Sequence, residues 1–402
     1  MLASLSVYVA PLLVFGLVVF VHELGHFLAA KLTGVYAPVF SLGWGRRLFG
    51  VRRGETDYRV SLIPLGGYVR MASRDDESMS GIEGSGTDRG ALDGQAPDGQ
   101  SPDGGPSDVP AALWDPQGMA PFGPHPVPAP RWMESKSTSA RVFILSAGVL
   151  MNILLTYVVS TGIYLRYGNA YVPAVIDSVV VGGPAATAGL RAGDAITAID
   201  GQPVRAWNEV LDQVSARTTG SLQFTVRRGD ASVPVVVTPQ LADGQDPVTG
   251  AARKVGRVGM LVRDSVVREP VSVGEALSSG ADATIGMAGS VVRVLGGLVS
   301  GEVSAKNLGG PIQIAKTSVQ AARRGAETLW SLIAFLSLNI AILNLVPIPV
   351  LDGGQILMVL AERVKGGAFS MRTRETFARV GVLAVLALIL LVTFNDLTTL
   401  FR

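Results

Sequence analysis

The chain has no cysteine among its 402 residues. That excludes a disulfide framework, a thiolate metal site and a cysteine nucleophile, and it leaves the redox compartment illegible. Histidine is almost as scarce, with only His22, His26 and His125. Charge is thin as well: 16% of residues are Asp, Glu, Lys or Arg, where soluble domains carry about 25%. The formal net charge is only +2, so nothing in the bulk electrostatics calls for a nucleic-acid partner.

What fills the chain instead is apolar. Hydrophobic residues make up 48% of it and the mean hydropathy is +0.38, which points to an integral membrane protein in contact with the lipid bilayer. A span needs roughly 20 apolar residues. Four stretches approach that, at about residues 4–30, 142–164, 329–350 and 380–394, the last requiring Arg379 to snorkel to the interface. The alternative for the first is a signal peptide, but it has neither a basic leading segment nor a small-residue cleavage site.

The expected order along the chain is as follows. Residues 1–34 form the first span. Residues 35–74, with "VFSLGWGRRLFG" and "TDYRVSLIPLGGYVRM", read as short strands and hairpins. Residues 75–130 are expected to be disordered, because Gly81 to Pro130 holds 10 glycines and 10 prolines and cannot bury a core. Residues 131–168 carry the second span, and 169–265 alternate strand, turn and helix signals as a soluble α/β domain would. Residues 266–326 read as Gly- and Ala-rich helices on the membrane surface. Residues 327–360 carry the third span, and 361–402 a basic loop and the fourth. Loop 31–140 holds 11 Lys and Arg and loop 361–379 holds five, which puts both on the cytoplasmic side and residues 170–325 outside. Arg323 and Arg324 count against that orientation.

The chemistry begins at "HELGH". His22 and His26 lie four residues apart, one turn apart on one helix face. Two imidazoles so placed can chelate Zn2+, with Glu23 beside them as general base. The bland reading is a chance pair facing a polar interior, but ionisable groups inside a span are expensive and mostly functional. Catalytic zinc takes three protein ligands. With no cysteine, and His125 in the Pro-rich segment, a carboxylate at the same depth is the better third ligand. Asp352 in "NIAILNLVPIPVLDGG" sits at the inner end of span three, after Pro347 and Pro349 interrupt the helix. Alone, Asp352 could equally be a helix-end cap.

HELGH in the first span together with "NLVPIPVLDGG" in a later one resembles the site-2 protease family of intramembrane zinc metalloproteases, in its bacterial, PDZ-containing type. "FSLGWG" with "IPLGGYVRM" resembles the family's membrane-reentrant β-hairpin region. "SAGVLMNILL", with Asn152, resembles its second span, and "LGGPIQIAKTS" the segment before its third. The resemblance covers most of the chain, with the insert at 75–130 and a single PDZ-like domain as departures. It implies a polytopic α-helical membrane protein with a reentrant β-hairpin region and an inserted PDZ-like α/β domain. It implies zinc at His22, His26 and Asp352, Glu23 as base, and a substrate or oxyanion contact from Asn344. Asn339 is a second candidate for that contact, and by itself either asparagine could be an inter-helix hydrogen bond.

In the middle domain, "GLRAGD", Gly189 to Asp194, resembles a bacterial PDZ motif. Gly189, Leu190, Gly193 and Asp194 would shape its turns. Such a domain captures extended peptides by strand addition or gates access by bulk, and the sequence leaves both open. The expected function is cleavage within transmembrane segments of single-span proteins, in regulated proteolysis or signal-peptide clearance. An upstream site-1-type protease is an implied partner, and the bacterial inner membrane the implied location. Two other classes compete: a catalytically silent membrane-anchored PDZ adaptor with a structural metal, and a transporter. An inverted repeat, which a transporter would show, is not evident. Substrate and oligomeric state are not legible.

Overall fold

The computed structural model describes residues 2–73, 129–246, 248–262, 265–304 and 309–400. Residues 75–128 of the insert expected to be disordered lie outside them, as does His125. The helices in chain order are α1 (Leu2–Leu32), α2 (Thr138–Tyr167), α3 (Pro184–Thr187), α4 (Trp207–Ala216), α5 (Val273–Ser300), α6 (Pro311–Arg324), α7 (Ala326–Asn344), α8 (Asp352–Lys365) and α9 (Met371–Leu400). Contacts divide the chain into two units, Met1–Val159 with Leu308–Arg402, and Ser160–Asn307.

In the first unit, α1 packs Val14 and Val18 against Ile333 of α7, with Leu155 of α2 and Leu329, Leu336 and Ile340 around them. Nearer its C-terminal end, Ala29 and Ala30 meet Ile144 and Ala147 of α2. With little hydrophobic drive between helices in lipid, association rests on close packing and inter-helix hydrogen bonds. Both occur here. The Thr156 hydroxyl donates to Ala334 O at 3.0 Å and the Ser337 hydroxyl to Asn152 O at 2.9 Å. A methyl group on Gly25 would overlap the Ala147 carbonyl, so glycine there sets how closely α1 and α2 approach.

Two 15-residue strands, β1 (Val39–Arg53) and β2 (Thr56–Arg70), follow α1. The short strands expected from the sequence are thus two long ones. Gly43, Gly45 and Gly66 take φ values of +90°, +87° and +100°, so the strands bend sharply without ending. As a result Val39–Leu42 is flanked on both sides, by Asp57–Val60 and by Arg70–Gly67. Phe20 and Phe27 of α1 pack against Phe40, and Phe27 and Phe40 against Tyr58. Glu55, in the turn between the strands, takes Lys31 at 2.5 Å and Arg131 at 2.8 Å, tying that turn to the end of α1.

The third span differs from its expected extent. α7 stops at Asn344, and the chain runs irregularly through Pro347 and Pro349 until α8 begins at Asp352. Proline removes backbone donors and biases the preceding residue away from helix. Farther along α8, Glu362 is 6% exposed. It accepts from Arg141 of α2 at 3.0 Å, from Arg374 of α9 at 2.6 Å and from the Phe369 N–H at 3.2 Å. At the other end of α9, Asp396 accepts the N–H groups of Gly310, Ile312 and Gln313 and so caps α6.

The second unit holds a four-stranded antiparallel sheet in the order β4 (Gln202–Pro203), β3 (Ala195–Ile199), β5 (Leu222–Arg228) and β6 (Ala231–Val237). Trp207, Val210 and Val214 of α4 share a core with Ile196, Ile199, Phe224 and Val226. Within the GLRAGD stretch, Gly189 and Gly193 take φ of +90° and +86° and Leu190 is buried. The Asp194 carboxylate accepts the Arg191 N–H at 2.9 Å and two contacts from Arg228 at 2.7 Å. Arg228 also donates to Gly189 O. These residues hold a turn in shape.

Five helical stretches among the described residues are long and apolar enough to cross a membrane: Val9–Leu32, Thr138–Tyr167, Val273–Ser300, Ala326–Asn344 and Met371–Thr398. The chain is therefore a multi-pass membrane protein, and α5 is an apolar helix of crossing length beyond the four spans expected. Its ends are well defined. Ser272 and Glu275 form a reciprocal N-terminal cap, and Gly301 closes it at φ +80°.

The Arg228 hydrogen bonds hold the Asp194 carboxyl below its ordinary range, against burial that pushes it up. The folded value lies below the unfolded one. The stabilisation is therefore complete above the ordinary carboxylate pKa of about 3.9 and is lost as pH falls through the folded value. Asp194→Asn is expected to cost about 1.5–3 kcal/mol at neutral pH and less in acid. Urea unfolding read by proteolysis within residues 169–265 at two pH values checks it.

Candidate metal and catalytic site

His22 and His26 project from one face of α1, as their spacing requires. Their Nε2 atoms lie 3.2 Å apart. Asp352, the first residue of α8, brings Oδ2 to 3.3 Å from His22 Nε2 and 3.4 Å from His26 Nε2. Both histidines are 7% exposed. Among the described residues these three form the one cluster of His and acidic groups that could hold a metal ion.

The spacing fits a tetrahedral zinc. Bonds of about 2.0–2.1 Å to each of three donors place those donors roughly 3.3–3.4 Å apart, and the observed separations are 3.2, 3.3 and 3.4 Å. Asp352 Oδ2 is buried without a hydrogen-bond donor, which a carboxylate oxygen tolerates poorly unless a cation satisfies it. Three protein donors leave the fourth position that catalytic zinc keeps open.

The surrounding backbone is cut to this site. On α2, Ile144, Gly148 and Asn152 recur every four residues along one face. Ile144 O accepts the His26 Nδ1–H at 2.8 Å. A methyl group on Gly148 would overlap His26 Nε2 and stand 2.8 Å from His22 Cε1. Asn152, fully buried, places Nδ2 3.4 Å from His22 Nδ1. Beneath Asp352, a methyl on Gly353 would overlap Leu345 O, and one on Gly354 would overlap Ile348 O. The DGG glycines thus let α8 begin directly against the broken stretch.

The other candidates separate. Glu23 stands beside the cluster, with the Val69 backbone N–H facing its carboxylate and Gly67 against its Cγ. Asn344 brings Nδ2 to 3.3 Å from His22 Nε2. Asn339 is not brought in: its amide donates to Phe335 O in its own helix at 2.7 Å. Sequence reasoning placed Asn152 only by resemblance and gave Gly148 and the Ile144 carbonyl no role at all. Their one signal is the fourfold recurrence along α2, which has meaning only once α2 is known to face α1.

A histidine–histidine–carboxylate site of zinc spacing, in a frame of apolar helices, defines a membrane zinc metallopeptidase. The chain belongs to peptidase family M50, whose family model matches residues 10–388. It is similar to the zinc metalloprotease RasP of Bacillus licheniformis, 30% identical over 429 aligned residues that cover 99% of this chain and 100% of that protein. It is also similar to the zinc metalloprotease RasP of Geobacillus kaustophilus, at 29% identity and full coverage of both. The regulator of sigma-W protease RasP of Bacillus subtilis is 29% identical, with 98% of each chain covered. The protein is accordingly a zinc-dependent metalloendopeptidase of the membrane.

Gly148→Ala tests the fit of α2 to the site. In an ordinary helix this change is favourable by about 1 kcal/mol. Here it is expected to displace His26 and strip zinc while leaving helix content unchanged, as metal analysis and circular dichroism of the purified protein would show.

Proposed function

We propose that the chain hydrolyses peptide bonds within the membrane-spanning segments of single-span proteins, with His22, His26 and Asp352 holding zinc and Glu23 acting as general base. The observation that carries this reading is the triangle of Nε2, Nε2 and Oδ2 with Glu23 beside it, inside an apolar helix bundle. Zinc held there supplies Lewis acidity, polarising a carbonyl and acidifying water. Glu23 removes a proton from the attacking water and delivers it to the leaving amine nitrogen. In this reading Asn344, whose Nδ2 lies 3.3 Å from His22 Nε2, donates its amide N–H to the scissile carbonyl oxygen.

A helical substrate must unwind first, because its carbonyls are bonded within the helix. Gly67–Arg70 is the border of the β1–β2 sheet nearest Glu23, and it can take the unwound chain by strand addition. Proline at Tyr68 would remove a backbone N–H from this border segment. It is expected to lower turnover at least tenfold with zinc content intact, as measured on a tagged single-span substrate in liposomes.

The same reading carries a membrane topology. His22 and His26 lie toward the C-terminal end of α1, Asn344 at the end of α7, and Ile144 to Asn152 toward the start of α2. So α1 and α7 run one way and α2 the other. Asp396 lies at the end of α9 far from Arg374, and it caps α6, so α6 begins on the side where α2 ends. At about 1.5 Å per residue, the 14 residues of α6 are too short to cross. The Lys and Arg placement favours a zinc site near the cytoplasmic face. Residues 169–265 then lie outside, where a PDZ-like domain screens or captures substrates.

The experiment compares wild type with Glu23→Gln and Asp352→Asn on the same substrate. Glu23→Gln is expected to lose about 10²–10⁴ in turnover while keeping zinc, and Asp352→Asn to lose zinc and activity together. Wild-type turnover from Glu23→Gln would remove the base assignment. Full zinc in Asp352→Asn would remove the third ligand.

A further inference from the structure

The two histidines present Nε2 to the centre of the site, so each must carry its remaining proton on Nδ1, and each of those protons needs an acceptor. For His26 the acceptor is Ile144 O at 2.8 Å. For His22 the group facing Nδ1 is the Asn152 side chain, at 3.4 Å. Asn152 is fully buried, and its Oδ1 has no hydrogen-bond partner. An N–H facing a protonated nitrogen beside an orphaned oxygen is a mismatch that half a turn of the amide removes. The turn exchanges Oδ1 and Nδ2, puts the acceptor on the His22 proton and satisfies the orphan, with no other atom moved.

We infer that Asn152 is a positioning residue for the zinc site: its Oδ1 accepts the Nδ1–H of His22 and thereby fixes the tautomer and ring plane that aim Nε2 at the metal. Metal-bound imidazoles generally have such a partner on the other nitrogen. The inference rests on the zinc-ligand reading above.

The alternative is that Asn152 only glues helices together. Its contacts argue otherwise. The bonds that tie α2 to α7 at this level use the Asn152 backbone carbonyl, which accepts Ser337 Oγ at 2.9 Å, and Thr156 Oγ1, which donates to Ala334 O. The side-chain amide takes no part in them and is left to His22. The face of α2 thus carries an acceptor for each histidine two turns apart, with Gly148 between them clearing the space the rings occupy.

Two substitutions separate these roles in the full-length protein. Asn152→Asp keeps the shape and the acceptor but loses the amide donor. Asn152→Leu keeps approximate volume and loses both. Zinc affinity, measured by competition with a chelator of known affinity, is the readout, so no turnover is needed. Asn152→Leu is expected to bind zinc about 10–100-fold more weakly, and Asn152→Asp as tightly as wild type or tighter. A tenfold loss in Asn152→Asp would overturn the assignment even if Asn152→Leu fails to fold, and so would wild-type affinity in a folded Asn152→Leu. A wild-type protein that holds no zinc would instead overturn the ligand set itself, and this inference with it.

Discussion

Two imidazoles and a carboxylate sit almost wholly buried among apolar helices, with one carboxylate oxygen lacking any donor. That is the constraint on which the first unit depends. A charged side chain at the centre of a membrane helix costs about 2.5–3.5 kcal/mol even on lenient scales, and an unpaired one more. A cation shared by the three groups would offset that cost, and it would fix their separations to within a few tenths of an ångström. Every neighbouring element must then accommodate that triangle.

The accommodation is made largely with missing side chains. Gly25 and Gly148 let α1 and α2 approach until the rings and the facing backbone are in contact. Gly353 and Gly354 let α8 start under the carbonyls of the broken stretch, which is how Asp352 reaches His22 and His26 at all. Pro347 and Pro349 make that break obligatory. Irregular backbone at this depth is stable only where protein shelters it, and here the start of α8 supplies the shelter. The residues that contribute no chemistry are thus as constrained as the ligands.

This explains what could be read in advance. The HELGH pair was legible because both residues lie on one helix, where spacing alone decides the face. Asp352 was expected near the pair because the histidines lacked a third ligand and little else could supply one, and the structure brings its Oδ2 to 3.3 and 3.4 Å from the two rings. Asn344 was set ahead of Asn339 by resemblance alone, and residue chemistry did not separate them. They lie five residues apart, roughly 140° around a helix, so only one can face the site, and the helix's rotation is set by packing that the sequence does not display. Gly148 and Asn152 act on a different helix from the histidines, and no local pattern announces which face of α2 meets α1. The single long sheet segments were missed because glycines at positive φ, usually strand ends, here serve as bends within strands. Helix α5 shows the converse limit. Length and hydropathy qualify it as a span, whereas the Gly- and Ala-rich composition of 266–326, with its scattered basic residues, reads as membrane-surface helices.

The same geometry says which displacements would strain the triangle. Asp352 opens α8, and near the other end of that helix Glu362 is held by Arg141 and Arg374. Arg141 lies three residues before Ile144, the acceptor for His26. One short stretch of α2 therefore references both His26 and the helix that carries Asp352, so a displacement of α8 would strain the ligand triangle at both points. Glu23 faces a different neighbour, the sheet border at Gly67–Arg70, which contributes no ligand. On the reading proposed above, a shift of that border bears on Glu23 and leaves the triangle of His22, His26 and Asp352 unstrained.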